Sequence, residues 1–322
     1  MWSVPRAACG GALYHRAAQH DRGWRAGAAP SRSILIVGFL YQPRIQGAVK
    51  MAEWAQQACE KLGHEAWTHS SWEIEDLGER VQSTGILFSL GGDGTLLRTV
   101  RAGAPYGVPC LGVNFGKLGF LTEVAARDFK GRLKSFLAGG GWIEERILID
   151  WAHYRDGERL GAGTAVNDIV VARGSISRVI NVTLEIDGGR VVTYTADGVL
   201  VATPTGSTGY ALALQGPIMH PQARTLAIVP VCPFLTSANS LVTDATSRID
   251  LIVGTRHEVG LTVDGQTNFK LEDGDRITCT ASANLAKFLR FGPRNYFFPV
   301  LAEKMRWSVP AQLLRGDANP EA

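Results

Sequence analysis

No apolar run in this chain of 322 residues approaches what a membrane-crossing helix needs, which is about 20 consecutive residues. The expectation is a soluble, cytoplasmic protein with no membrane partner. Cysteine is scarce: Cys9, Cys59, Cys110, Cys232 and Cys279 are odd in number, widely spaced and never in a CxxC pair or a His-Cys cluster. That excludes a disulfide framework and a structural zinc centre, and fits a reducing compartment. Nor does one charge dominate. The net charge is +3 with Lys and Arg dispersed, so no basic stripe with interleaved aromatics argues for a nucleic-acid partner. Two glycine fingerprints of phosphate binding, GxxxxGK[ST] and GxGxxG, are also missing, so nucleotide binding here must use another device.

What is present instead is Gly91-Gly92-Asp93-Gly94-Thr95, directly behind the apolar run Ile86-Leu87-Phe88-Ser89-Leu90. A buried strand that ends in glycines lets the backbone approach an anion closely. Thr95 is placed to cap a helix through Leu96, Leu97 and Val100, whose free N–H groups and positive dipole end favour phosphate. Gly91, Gly92, Gly94 and Thr95 are therefore the candidate phosphate-binding residues. Asp93 is the anomaly, because a lone carboxylate repels phosphate. It reads as a metal-ion ligand or as a base for an attacking hydroxyl, which phosphoryl transfer requires. The same pentapeptide also serves as a plain tight turn, and the rest of the chain has to decide.

The chain is long enough for two domains, each with its own core. Residues 1–32 carry Arg6, Arg16, Arg22, Arg25 and Arg32 among alanines and glycines, with Asp21 the only acid. Such a bias marks a transit peptide, a disordered tail or a start codon placed too early, and the segment is set aside from the fold. Residues 33–141 alternate strand and helix. Ile34 to Val37 is a strand, Ala48, Val49, Ala52, Ala55, Cys59 and Leu62 share one helical face before Gly63, and Glu65 to His69, Gly85 to Leu90 and Val108 to Val113 are further strands. Thr122 starts a helix through Phe129, Leu133, Phe136 and Leu137. This pattern implies a parallel sheet with its binding crevice at the carboxyl ends of the strands, where the GGDGT and Asn114 turns belong.

After Gly139-Gly140-Gly141 the pattern turns to hairpins. Ile147 to Tyr154 and Leu160 to Arg173 flank Asp156-Gly157, and Ile180 to Ile186 and Arg190 to Val201 flank Asp187-Gly188-Gly189. Residues 142–307 are thus a β-rich, sandwich-like domain. The last helical stretch, Val300 to Met305, packs back on the first domain, and 308–322 form a tail. Two polar segments stand out in this half. One is Asn167-Asp168 inside Val166, Ile169, Val170 and Val171, which if buried must be hydrogen-bonded or functional. The other runs from Asp197-Gly198 to Thr203-Pro204-Thr205-Gly206-Ser207-Thr208-Gly209-Tyr210, a cluster of N–H and O–H donors suited to a ribose, a carboxamide or a phosphate.

Taken together and in this order, the GGDGTLLR run, Asn114-Phe115-Gly116-Lys117-Leu118-Gly119-Phe120-Leu121, Asn167-Asp168 and the Asp197 to Tyr210 segment resemble the NAD kinases. Gly216-Pro217, Pro230-Val231-Cys232-Pro233 and Asp264-Gly265-Gln266 extend the similarity to about residues 33–307. The resemblance implies transfer of a phosphoryl group from ATP or another donor to the 2′-hydroxyl of the adenosine ribose of NAD, giving NADP, with a divalent metal such as Mg2+. It also implies a homo-oligomer, dimer or tetramer, with NAD held between domains and often by a neighbouring subunit. By the same resemblance Asp93 is the catalytic proton acceptor and Gly94 shares the NAD contact. Arg98 pairs with phosphate, Asn167 and Asp168 hold adenosine, and Asp197 binds the nicotinamide side. Thr208, Gly209, Tyr210, Ala211, Leu212 and Ala213 line the pocket, while Arg178 and Gln266 stand at contact positions. The chain departs from the family in having Asp168 where Glu is usual and Gly209 where Ala is usual. No dedicated metal cage is evident, which fits a magnesium ion arriving on the nucleotide. Two alternatives share parts of the pattern: a lipid kinase of the diacylglycerol or sphingosine type, and an NAD-binding sensor without turnover.

Overall fold

The structure is a computed structural model that describes residues 34–74, 76–116, 119–174, 178–234, 239–255 and 257–307. Residues 1–32, the 308–322 tail and Lys117 lie outside the described residues.

The amino-terminal half contains strand β1 (Ile36–Tyr41), helix α1 (Gln46–Lys61), β2 (Glu65–Ser70), α2 (Gly78–Gln82), β3 (Ile86–Gly91), α3 (Asp93–Gly103), β4 (Cys110–Asn114), β5 (Val124–Ala125) and α4 (Ala126–Leu137). Strands β2, β1, β3 and β4 lie side by side, all parallel. They are apolar on both faces because both faces are covered. Helices α1 and α4 pack on one side through Ala48, Ala52, Ala55, Phe129, Leu133 and Phe136, while α2 and α3 cover the other through Val81, Leu96, Leu97 and Val100. The end of α1 shows the local logic. Gly63 adopts φ +85°, and the N–H groups of Gly63 and His64 return to the carbonyls of Glu60 and Cys59, a Schellman closure that only a glycine makes without strain.

The second half contains β6 (Trp142–Arg155), β7 (Glu158–Ala165), β8 (Asp168–Arg173), β9 (Ile180–Ile186), β10 (Gly189–Ala196), β11 (Gly198–Ala202), α5 (Tyr210–Ala213), β12 (Thr225–Val231), β13 (Leu241–Asp244), β14 (Ile249–Gly254), β15 (Val259–Val263), β16 (Thr267–Leu271), β17 (Arg276–Arg290) and α6 (Phe297–Lys304). One antiparallel sheet runs β13-β12-β11-β8-β15-β16. It packs against the antiparallel strands β10, β9, β14, β17, β6 and β7 over a shared core that includes Ile149, Leu184, Val199, Val201, Leu251 and Leu261. The α/β part followed by a β-rich sandwich is the architecture that the sequence pattern implies. The two parts are joined by β17, which pairs with β6 along its length and touches β4 in parallel at Phe288 and Cys110.

Several boundaries differ from the sequence reading. Helix α4 starts at Ala126 rather than Thr122, because Val124–Ala125 first pairs with β4. Thr95 does not cap α3; the helix begins at Asp93 behind Gly92, and Thr95 is its third residue, buried under Gly91. The runs Leu160 to Arg173 and Arg190 to Val201 are not single strands. Each breaks where the chain leaves one sheet for the other, at Val166-Asn167 and at Asp197. Gly198 is needed at the second break, since a Cβ there would overlap the Val171 carbonyl. No described helix is long and apolar enough to cross a membrane.

Candidate active site

Strands β3 and β4 end side by side, with Gly91 opposite Asn114 and the Phe115 N–H donating to the Gly91 carbonyl at 2.8 Å. The two glycine-bearing turns therefore meet at the carboxyl edge of the parallel sheet, where the alternation of strands and helices places a binding crevice. Asn114 is buried and spends its Oδ1 on the Gly116 N–H at 3.0 Å, so it shapes the turn.

Asp93 opens α3 at this edge. One carboxylate oxygen, Oδ2, accepts the Phe120 N–H at 2.9 Å, while Oδ1 is buried with no partner among the described residues. Gly119 lies so close that a Cβ would overlap both oxygens and Cγ. The carboxylate is thus pinned by backbone on one side with its other oxygen left over, and a buried unpaired carboxylate oxygen is costly unless a ligand completes it.

A chain of hydrogen bonds leads from here into the second half. The Gln266 Nε2 group donates to the Gly94 carbonyl at 2.9 Å, and Arg101 Nη2 donates to Gln266 Oε1 at 2.6 Å. Arg101 also faces Asp264 at 3.5 Å. The buried Asp264 carboxylate in turn accepts N–H groups from Val166, Asn167 and Asp168 at 2.7 to 3.2 Å. It holds open the break between β7 and β8 and presents the Asn167 and Asp168 side chains. Burial lowers the Arg101 pKa, Asp264 opposes that shift, and the neighbouring Arg98 adds to it.

The hydroxyl loop closes against this pair. A Cβ on Gly209 would sit 3.7 Å from Asn167 Nδ2 and 4.0 Å from Asp168 Oδ2. That Cβ would also meet the Gly206 carbonyl oxygen at 3.2 Å, and Gly206 is tighter still, since its own Cβ would overlap the Asn167 carbonyl. Most hydroxyls of the loop hold its own shape. Thr203 donates to the Val166 carbonyl at 2.7 Å, Ser207 donates to Pro204 at 2.7 Å, and Thr208 donates to Thr205 at 3.3 Å. Ala211 packs on the outer face of the second sheet, while Gly209, Tyr210 and Ala213 are exposed. Asn167 Oδ1, like Asp93 Oδ1, is buried without a partner among the described residues.

Burial pushes Asp168 up to about 7 from 3.8, and the nearby Asp264 reinforces the shift. The folded chain thus keeps the Asp168 proton to higher pH than the unfolded chain does. Its contribution to stability is complete below about pH 3 and is lost as pH rises toward 7, by about 1.4 kcal/mol per unit of separation. Asp168→Asn, which keeps the shape but cannot ionise, should flatten this dependence and raise stability at pH 8 by about 1 to 3 kcal/mol. Urea melts of both proteins at pH 5 and pH 8 check it, and an unchanged pH dependence contradicts it.

The structure gathers Asp93, Gly94, Gln266, Asn167, Asp168 and Gly209 into one region. Arg98, on α3, lies near Arg101. It does not bring Asp197 there. Strands β8 and β11 run antiparallel, so Asp168 faces Ala202 at one end while Asp197 adjoins Arg173 at the other. Five residues at about 3.3 Å each separate the ends by about 17 Å. Arg173 Nε donates to Asp197 Oδ1 at 2.7 Å. Arg178, exposed five residues past the end of β8, belongs to that far end too. Sequence reasoning passed over Arg101 and Asp264. Asp264 stood out in the sequence only as part of the Asp264-Gly265-Gln266 segment and its Asp-Gly turn, here at φ +51° and +64°, with no sign of its role as a backbone acceptor.

The chain matches the family described as ATP-NAD kinase N-terminal domain over residues 41–141 and the one described as ATP-NAD kinase C-terminal domain over residues 166–291. It is 39% identical to an NAD kinase of Dehalococcoides mccartyi (strain CBDB1) over 272 residues, covering 84% of this chain and 95% of that protein. It is 43% identical to an NAD kinase of Koribacter versatilis (strain Ellin345) over 219 residues, covering 68% and 76%. Among solved structures, an Archaeoglobus fulgidus NAD kinase in complex with ATP has a TM-score of 0.66 at 26% identity, covering 84% of this chain and 99% of that one. A yeast NADH kinase complexed with NADH has a TM-score of 0.73 at 23% identity, covering 86% and 89%.

Proposed function

The chain belongs to the ATP-NAD kinase family, and from that premise we propose how its residues carry out the phosphorylation of the adenosine-ribose 2′-hydroxyl of NAD by ATP. The observation that carries the reading is Asp93, held by the Phe120 N–H on one oxygen and unpartnered on the other. A ribose hydroxyl is a poor nucleophile at neutral pH, and a carboxylate within hydrogen-bond reach accepts its proton as the new bond forms. The hydroxyl oxygen bonds to the γ-phosphorus, the bond from that phosphorus to the bridging oxygen breaks, ADP leaves, and the proton passes to Asp93.

Asn167 and Asp168 receive adenosine, and the unpartnered Asn167 Oδ1 is an acceptor ready for a base amino group. Gly209 lies against them without a side chain, and Thr208, the exposed Tyr210 and Ala213, Ala211 and Leu212 are the residues of the same loop that this reading assigns to the pocket lining. Gly91, Gly92 and Gly94 bring backbone close to the phosphates, and Arg98 shares their charge. Thr95 supports this turn from beneath, because its hydroxyl is packed on Gly91 and its N–H turns to the Gly92 carbonyl. A divalent cation fits as a companion of ATP: the orphaned Asp93 Oδ1 offers it one carboxylate contact, as expected for magnesium bound mainly through phosphates and water. When bound, it supplies neutralisation of the phosphoryl charge.

In this reading Asp197 and Arg178, at the far end of β8 and β11, meet the nicotinamide side of a dinucleotide bound by a neighbouring copy, and the working form is a homo-oligomer. Light scattering that finds only monomer at assay concentration would remove that role. The enzyme works in the cytoplasm, which cell fractionation checks. The proposed division puts an α/β part at 33–141 and a β-rich part at 142–307, supported by the change from parallel to antiparallel pairing after α4. The relatives are NAD kinases across both halves, which leaves the lipid-kinase and sensor readings without support. The direct test is NADP formation from NAD with ATP and magnesium, alongside equilibrium NAD binding. Binding without turnover would return the sensor, and phosphorylation of a lipid but not of NAD would sink the assignment.

A further inference from the structure

Directly behind the Gly119-Phe120 loop lies a cluster of buried charges that the reaction itself does not use. Arg290, the last residue of β17, is almost fully buried. Its Nε donates to Glu144 Oε2 at 2.9 Å, and its Nη1 donates to the Leu121 carbonyl at 2.8 Å and to Glu123 Oε2 at 3.3 Å. Its Nη2 donates to the Tyr296 hydroxyl oxygen at 3.2 Å, and the guanidinium lies 5.3 Å from the Phe288 ring centroid and 5.0 Å from that of Tyr296. Glu144 is also held by Arg146 at 2.8 Å and by the Tyr296 hydroxyl at 3.0 Å. Glu123 Oε1 accepts the N–H groups of Phe291 and Gly292 at 2.7 and 2.9 Å.

Two arginines and two glutamates withdrawn from water are a poor way to gain stability, since well-packed apolar side chains of similar volume often do as well or better. What such a cluster gives is geometry. Glu123, Glu144 and Tyr296 each reach Arg290, which grips the Leu121–Glu123 segment, and Arg146 braces Glu144 and Tyr296 from behind. That segment follows Phe120, whose N–H holds the Asp93 carboxylate. A guanidinium with donors in a rigid fork fixes a backbone carbonyl, a carboxylate and a phenol at once, which a lysine cannot reproduce.

We propose that Arg290 is a positioning residue for phosphoryl transfer: by clamping Leu121 and Glu123 it fixes the Phe120 N–H and so the direction in which Asp93 presents its free oxygen to the ribose hydroxyl. The inference rests on the reading of Asp93 as proton acceptor. A misplacement of about 1 Å at a reacting group costs on the order of 100-fold in rate, whereas Asn167 and Asp168 are held by Asp264 on a separate loop.

The test is a double-mutant cycle on the full chain, with kcat and KM for NAD measured for Arg290→Met, Arg290→Lys, Asp93→Asn and the two pairs. Arg290→Met should lower kcat by about 10- to 100-fold with KM within about threefold. Arg290→Lys should recover part of the loss. In the Asp93→Asn background either change should cost less than about twofold, because the group being positioned is gone. An equal fold-loss in both backgrounds, or a raised KM with unchanged kcat, overturns the proposal while leaving Asp93 as the base. Near-normal turnover of Asp93→Asn alone overturns the base reading first. If thermal melts show Arg290→Met unfolded, Tyr296→Phe, which removes only the hydroxyl bonded to Arg290, Arg146 and Glu144, goes through the same cycle. It should lower kcat about three- to tenfold in the parent and not in Asp93→Asn; additive losses there overturn the proposal equally.

Discussion

Asp93→Asn should lower turnover by at least about 100-fold while the dissociation constant for NAD changes by no more than a few-fold, the pattern of a lost general base. The substitution keeps the size of the side chain. Its amide oxygen can still accept the Phe120 N–H that Asp93 Oδ2 accepts at 2.9 Å. The change then falls on the other atom, where an oxygen buried without a partner becomes an NH2 group that donates and cannot take a proton. Adenosine binding should survive, because Asn167 and Asp168 are positioned by three backbone N–H groups bonded to Asp264, none of which involves Asp93. Steady-state kinetics with ATP and magnesium, beside a calorimetric titration of NAD, separate the two quantities. Turnover within about threefold of the parent would take Asp93 out of the proton transfer; a loss of NAD binding with normal kcat at saturation would make it a binding residue only.

Much of this site was legible in the sequence for local reasons. The run Ile86 to Leu90 announced a buried strand, and glycines directly after it announced a turn at the sheet edge; β3 and α3 meet there. The Asp-Gly turns at 156, 187 and 264 were legible because two successive residues with positive φ suit those types, and all three Asp residues do sit near φ +50°. What could not be read is where a continuous β run changes sheets. Leu160 to Arg173 alternates well enough to pass for one strand, yet its partners are β6 before Val166 and β11 with β15 after Asn167. Pairing across many residues leaves no periodic trace in either strand. The same holds for Arg101 with Asp264 and for Arg290 with Glu144, partners separated by more than a hundred residues. A buried arginine at the end of the apolar stretch Phe288-Leu289 was a signal in principle. Reading it required knowing that β17 ends against the loop that holds Asp93.

Gly119→Ala should abolish turnover as thoroughly as loss of Asp93, by about 100-fold or more, without unfolding the chain. The residue carries no functional group, so the argument is steric. An added Cβ would occupy the space of the Asp93 carboxylate, overlapping both oxygens and Cγ. One of the two must yield. Phe120 is tied through its N–H to Asp93, and the Leu121 and Glu123 segment beyond it is tied to Arg290. The loop is therefore the stiffer partner, and the side chain of Asp93 is the one to rotate away, breaking the bond to Phe120. A carboxylate turned from its bearing by about 1 Å loses on the order of 100-fold in rate. Stability should drop modestly, by about 1 to 3 kcal/mol, the usual range for overpacking a filled site. Thermal melts and NADP formation measured on the same preparation distinguish the cases. A folded protein without turnover, still binding NAD, is the expected result. Near-normal kcat in a folded Gly119→Ala protein would mean that the backbone gives way instead, and that the Phe120 N–H is dispensable for setting the carboxylate. Pairing Gly119→Ala with Asp93→Asn sharpens the reading, since the alanine should then add almost nothing to the loss, as two changes that remove one and the same function do not multiply.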